Sequence, residues 1–243
     1  MRQTELIMGM PVTVEIAEQC SGPDLVRIFN FFRAVDQRFS TYKPDSEISR
    51  FNAGEISEQD FSPEMREIFM LAEETKRQTS GYFDMVNGGK TDPSGIVKGW
   101  AILKAAELLA QAGFKNHYVE AGGDIQLAGK NKEGRPWKIG IRNPFNDQEI
   151  VKILELTDCG IATSGTYVRG QHIYNPKNGQ PVSEIASLTV IGPDIYEADR
   201  FATAAFAMGR EGINFIEKLP GFAGYMIDNS GVATLTTNFE KLQ

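Results

Sequence analysis

The sequence predicts an α+β fold built as one compact unit over residues 1–243. Three observations carry that prediction. Helical periodicity concentrates in the first half, short β-branched runs bounded by Gly, Asn and Pro fill the middle, and regular βαβ alternation is absent. No repeat, low-complexity tract or linker divides the chain, although a cleft between two lobes stays open.

Residues Leu6 to Ile16 are rich in apolar and β-branched types and read as an opening strand. Pro23 then starts a helix whose apolar face carries Leu25, Ile28, Phe29, Phe32 and Val35. A polar region from Tyr42 to Asn52 separates it from a second helix at Ser62-Pro63. Ser62 can cap there, proline suits the first helical position, and Met65, Ile68, Phe69 and Ala72 form one face. A third helix runs from about Val97 to Ala112 and stops at Gly113, a residue suited to a left-handed helix end.

Strand character follows at His117 to Glu120, Ile125 to Ala128, Trp137 to Arg142, Val151 to Leu156 and Ala186 to Ile191. Two helices, Glu197 to Met208 and Arg210 to Leu219, precede a closing pair of strands around Gly224 to Ile227 and Val232 to Thr237.

A hydrophobic content of 41% with 23% charged residues is that of an ordinary globule with a sizeable core. The net charge of −7 excludes a general nucleic-acid or anionic-membrane surface, which needs basic patches. Cys20 and Cys159 form no CxxC or Cys/His cluster, so a zinc site or disulfide framework is not expected. No run is long enough to cross a bilayer, and the first residues lack the apolar core of a signal peptide. The expectation is therefore a cytoplasmic protein as the sequence stands.

Thr91-Asp92-Pro93-Ser94-Gly95-Ile96-Val97-Lys98 puts an acid, a bend and a lysine just ahead of an apolar helix. Unpartnered N–H groups and the positive end of the helix dipole favour an anion there, and lysine adds a point charge. A plain turn with a solvated lysine fits the same letters.

Asp199 and Thr203 lie four apart in a predicted helix, so their Cβ atoms stand roughly 5–6 Å apart on one face. Such a pair of hard oxygens can reach one magnesium ion. Spacing alone leaves open an exposed acid near a helix start with Thr203 packed among alanines. His117 reads as a surface or core-edge residue, whereas His172 sits beside the turn-forming Asn175-Pro176 and Asn178-Gly179. Gly122-Gly123-Asp124 reads as a tight turn or bulge, with no role assigned to Asp124. Ser164 lacks the GxSxG elbow of a hydrolase nucleophile.

Taken in order, several blocks make a resemblance. They are Met8-Gly9-Met10-Pro11-Val12, Ser40 through Asn52, Gly81-Tyr82-Phe83-Asp84, the Thr91 to Trp100 stretch, Gly122-Gly123-Asp124, Thr163-Ser164-Gly165, His172-Ile173-Tyr174-Asn175-Pro176 and Ala198-Asp199-Arg200-Phe201-Ala202-Thr203-Ala204. The chain resembles the ApbE family of flavin transferases, FAD:protein FMN transferases, from about residue 5 to its end.

The resemblance implies mixed or antiparallel sheets with packed helices and a ligand cleft. It implies Mg2+ as cofactor, held by Asp199, Thr203 and, through its carbonyl, Gly95. FAD as substrate would meet Met8, Tyr42, Tyr82, Phe83, Asp84, Asp92, Lys98 and Ile173, with Tyr42 stacking on an aromatic ring of the dinucleotide. Read without the resemblance, Tyr42 is an interface or core-edge tyrosine rather than a stacking one. His172 would be the general base. Ala202 stands where some relatives have a further acid, and Met10 where they often have threonine.

An acidic chain that handles a pyrophosphate needs local positive charge, and a divalent cation supplies it. The implied reaction moves the FMN moiety of FAD onto a threonine or serine hydroxyl of an acceptor redox flavoprotein subunit and releases AMP. FAD hydrolysis to FMN and AMP, or FAD storage without chemistry, are the alternatives. Many members of the family are exported lipoproteins, so an exported or membrane-anchored setting is expected instead if a leader has been removed.

Overall fold

The computed structural model describes residues 1–165 and 173–242. The chain opens with strand β1 (Arg2–Ile7), which turns at Met8-Gly9 into β2 (Met10–Ile16). This corrects the single strand expected from Leu6 to Ile16. Met8 and Gly9 both take left-handed backbone, φ 56° and 71°, the geometry of a two-residue hairpin, and Ile7 pairs with Met10.

Helix α1 (Gly22–Phe39) follows, entered through Ser21 and Asp24 in a reciprocal cap. The polar region expected next contains a short helix, α2 (Glu47–Asn52), because the Ser46 hydroxyl accepts the Ser49 N–H at 3.1 Å. Six residues are too few to show a period. Helix α3 (Pro63–Gln78) starts at its predicted cap, with Ser62 accepting from Met65 N–H at 3.2 Å. A small ribbon, β3 (Val86–Asn87) and β4 (Lys90–Thr91), leads to α4 (Ser94–Gln111), which begins three residues before its predicted start.

Strands β5 (His117–Ala121), β6 (Asp124–Ala128), β7 (Trp137–Asn143), β8 (Asn146–Leu156) and β9 (Gly160–Gly165) come next. Then follow the ribbon β10 (Tyr174–Asn175) and β11 (Gln180–Pro181), and β12 (Ile185–Gly192). Helix α5 (Ile195–Ala207) begins two residues before its predicted start because Asp194 caps it, accepting from Glu197 N–H at 2.9 Å. The predicted Arg210 to Leu219 helix contracts to α6 (Gly212–Glu217) behind a tight turn. Strands β13 (Ala223–Asp228) and β14 (Ala233–Leu235) and helix α7 (Thr237–Glu240) close the chain.

Eight strands form the central sheet in the order β1-β2-β5-β6-β9-β12-β13-β14, and every described pairing is antiparallel. Helices α1, α3, α4 and α5 bury their apolar faces on one side of it, through Phe29, Phe32, Ile102 and Phe206 among others. The β7–β8 hairpin covers the other side, where Ile139, Ile141 and Leu154 meet Ile125, Leu127 and Ile161. β12 lies between both layers and is buried at all eight positions, as a strand covered on two faces must be. Among the described residues, no helix is long and apolar enough to cross a membrane.

The layering also explains two polar residues. His117 is a core residue at 3% exposure, not a surface one, and burial holds its imidazole below the usual histidine range. Arg200 is 5% exposed yet well met: Glu197 accepts from its Nη2 at 2.6 Å, Gln78 accepts from its Nη1 at 2.6 Å, and its guanidinium lies 4.0 Å from the Phe201 ring centre.

Candidate functional site

Alternation along β6 decides what the site contains. Ile125 and Leu127 point to the hairpin layer, so Asp124 and Gln126 turn toward the helices. Gln126 accepts the Ile195 N–H at 2.8 Å and so fixes the entrance of α5 to the sheet. Asp124, at 1% exposure, meets two residues that belong to different helices: Lys98 of α4 and Asp199 of α5.

The helices approach closely because Gly99 has no side chain. A Cβ there would stand 2.7 Å from Asp199 Cβ and 2.9 Å from the Ile195 carbonyl oxygen. The Gly99 N–H donates instead to Asp199 Oδ2 at 2.8 Å. In a regular helix that N–H serves the carbonyl of Gly95, so the carboxylate competes with that carbonyl for its donor. The other oxygen, Asp199 Oδ1, lies 3.6 Å from Lys98 Nζ, while the ammonium pairs directly with Asp124 Oδ2. Asp124 Oδ1 is held by the Thr163 N–H at 3.0 Å.

Asp199 is 3% exposed, which removes the solvated-acid reading. Burial, reinforced by the neighbouring Asp124 carboxylate, pushes its carboxyl up to about 7, against the pull of Lys98. Thr203, one turn along α5, reaches the start of α4: its Cγ2 lies 3.5 Å from where a Gly95 Cβ would be. Phe83 packs on the same spot, 3.2 Å from that position, and is itself buried.

These groups form one wall of a cavity of about 860 Å³, in the upper part of the range of small-molecule sites. The Gly122-Gly123 turn and residues Ile139 to Arg142 of the hairpin form others. Tyr82, Phe83, Asp84, Asp92, Gly95, Lys98, Ile173, Asp199 and Thr203 are brought together on it. Met8 and Tyr42 are not part of its lining; Met8 sits in the β1–β2 turn and Tyr42 is 96% exposed. His172 lies outside the described residues, between Gly165 and Ile173, both of which line the cavity.

Two of the acids on the wall have structural work as well. Asp84 pairs with Lys76 at 2.7 Å and accepts the Val86 N–H at 2.9 Å, tying the loop to the end of α3. Asp92 accepts the Ser94 N–H at 2.9 Å, which serves the first turn of α4 in place of a side-chain cap at Pro93. Tyr82 carries the Lys177 ammonium 3.9 Å from its ring centre.

The donor set suits a hard cation. A carboxylate, a hydroxyl and a main-chain carbonyl are all oxygen, and magnesium takes few protein ligands beside water and phosphate. Among the described residues no cluster of three or more His, Cys, Asp or Glu side chains forms a metal site of the zinc kind. Asp124 is the residue that sequence reasoning left without a role. Its signal lay in the period of β6, where an acid shares the helix-facing side with Gln126 of an otherwise apolar strand.

Solved structures share this arrangement of sheet, hairpin and helices. The flavin transferase ApbE from Vibrio cholerae superposes with a TM-score of 0.86 over 100% of this chain and 99% of its own, at 26% identity. The ApbE protein of Thermotoga maritima gives 0.88 at 22% identity, a likeness of fold. The class is thus that of the ApbE-like α+β domains. In sequence, a model of the ApbE family matches residues 8–91 and 86–226. A Vibrio cholerae protein named FAD:protein FMN transferase is 32% identical over 236 residues, covering 73% of this chain and 71% of the relative. A Haemophilus influenzae protein of the same name is 34% identical over 165 residues, and there the match spans 48% of the relative's length. The chain belongs to the ApbE family.

Proposed function

We propose that this chain transfers the FMN moiety of FAD to a threonine or serine hydroxyl of an acceptor flavoprotein and releases AMP. The observation that carries the reading is the cluster of half-buried Lys98 with buried Asp124 and Asp199 on the cavity wall, beside the entrance of α4. A helix entrance with an adjacent lysine favours phosphate, and the acids favour the cation that accompanies it. The names of the relatives support the same substrate and acceptor class.

In this reading Asp199, Thr203 and the Gly95 carbonyl hold Mg2+, which when bound neutralises charge on the pyrophosphate as a Lewis acid. Lys98 holds a phosphate oxygen. Tyr82, Phe83, Asp84, Asp92 and Ile173 shape the FAD site, with Met8 and the exposed Tyr42 closing on the dinucleotide from outside the cavity wall. The acceptor hydroxyl oxygen bonds to the FMN phosphorus as the bond from that phosphorus to the bridging oxygen breaks. AMP departs with that oxygen, and His172 takes the hydroxyl proton.

Incubation with FAD and Mg2+, with and without an acceptor polypeptide, tests the proposal by AMP release and acceptor mass. Transfer adds one FMN unit to the acceptor for each AMP released. AMP without an adduct would make the chain a pyrophosphatase, and neither product would leave a storage protein.

A further inference from the structure

We propose that Asp124 is a positioning residue of the cation site, holding the Lys98 ammonium to one side so that Asp199 can accept a divalent ion. The inference rests on the reading of Asp199 as a cation ligand.

Each carboxylate has one oxygen pinned by the main chain. Asp124 Oδ1 takes the Thr163 N–H at 3.0 Å, and Asp199 Oδ2 takes the Gly99 N–H at 2.8 Å. The remaining two oxygens face the same ammonium, which sits directly on Asp124 Oδ2 and 3.6 Å from Asp199 Oδ1. Their side chains are 2% and 4% exposed, so solvent screens this arrangement little. Asp124 therefore takes the closer share of the lysine and leaves Asp199 Oδ1 the more open oxygen.

The charge count gives the consequence. Two carboxylates and one ammonium leave one net negative charge for an incoming cation. Were Asp124 neutral, the count would fall to zero, and Asp199 would be the carboxylate of the cluster that the ammonium faces. A divalent ion would then have to compete with Lys98 for its own ligand. Asp124 need not touch the ion for this to hold.

Asp124→Asn is the direct test, because asparagine keeps an oxygen for the Thr163 N–H while losing the charge. Binding is read with Mn2+ alone, in the absence of nucleotide, from the paramagnetic resonance signal of the free ion at about pH 8, with circular dichroism confirming the fold. Wild type should bind Mn2+, and Asp199→Asn should abolish binding. Asp124→Asn should bind at least ~tenfold more weakly, as expected for one charge lost beside a divalent ion. Adding Lys98→Met to Asp124→Asn restores the charge count and should bring affinity back to within about threefold of wild type.

An Asp124→Asn variant that binds as wild type does, or a double variant as weak as Asp124→Asn, overturns the inference. The second outcome would make Asp124 a direct ligand. If Asp124→Asn does not fold, Lys98→Met alone decides: it should bind Mn2+ more tightly than wild type, and equal or weaker binding overturns the proposal. Wild type that takes no Mn2+, or an Asp199→Asn variant that still does, removes the reading of Asp199 and this inference together.

Discussion

The Gly99 N–H donates to Asp199 Oδ2 at 2.8 Å across a contact where a methyl group on Gly99 would lie 2.7 Å from Asp199 Cβ. Close packing of α4 on α5 and the aim of the buried acid are therefore one feature. Glycine inside a helix ordinarily costs about 1 kcal/mol relative to alanine, and here the backbone approach requires it.

Gly99→Ala should accordingly lose stability where helix propensity alone would add it. The neighbouring Ile195 carbonyl belongs to the backbone and cannot swing aside, so overpacking of about 2 kcal/mol is expected. Thermal unfolding should show a drop of roughly 4–8 °C for a chain of this size. A variant as stable as wild type would mean that the two helices can separate freely.

Asp199 makes metal-free stability depend on pH. Its folded carboxyl is raised from 3.8 to about 7, so between those values the folded chain binds more protons than the unfolded one. The contribution to stability therefore falls as pH rises through that window and is lost above about 7. In EDTA, the melting point of Asp199→Asn should gain on wild type by several degrees as pH rises from about 5 to about 8. A difference that stays constant with pH would contradict the burial of the Asp199 carboxyl.

Thr203→Val keeps the methyl group beside Gly95 and removes the hydroxyl. Folding should survive. If Thr203 is a cation ligand as proposed, activity should need roughly tenfold more Mg2+ for half-saturation, while the rate at saturating Mg2+ changes less. Titrating AMP release against Mg2+ measures this, and an unchanged Mg2+ requirement would take Thr203 out of the site.

Arg200 stands next to Asp199 in sequence but is not part of the cavity lining; it is bonded to Glu197 and Gln78 and stacked on Phe201. Arg200→Ala removes a buried guanidinium from half-buried Glu197 and exposed Gln78 and leaves a gap against Phe201, so it should cost about 2 kcal/mol, or roughly 4–8 °C in melting point. Below that temperature its affinity for Mn2+ should match wild type. Loss of Mn2+ binding in the folded variant would show that Arg200 acts on the site.

Local signals were legible wherever they were dense. Ser62-Pro63 and the apolar face from Met65 to Ala72 place α3 without help from the rest of the chain. The Met8-Gly9 turn was hidden because the residues on both sides are strand-like, so only the glycine marks the reversal. Resemblance named Lys98, Asp199 and Thr203, and the structure brings all three to one cavity. Asp124 was missed for a physical reason: its partners lie on two helices distant in sequence, and only the pleat of β6 turns it toward them. The Gly99 contact is likewise invisible in one dimension, since a helical glycine shows its purpose only in what packs against it.

Crystals soaked with FAD and Mn2+ give the most direct measurement, because manganese can be located by its anomalous scattering. One ion is expected within coordinating distance of Asp199 and Thr203, touching the pyrophosphate, with Lys98 on a phosphate oxygen. Bound FAD with no anomalous peak beside those two side chains would contradict it.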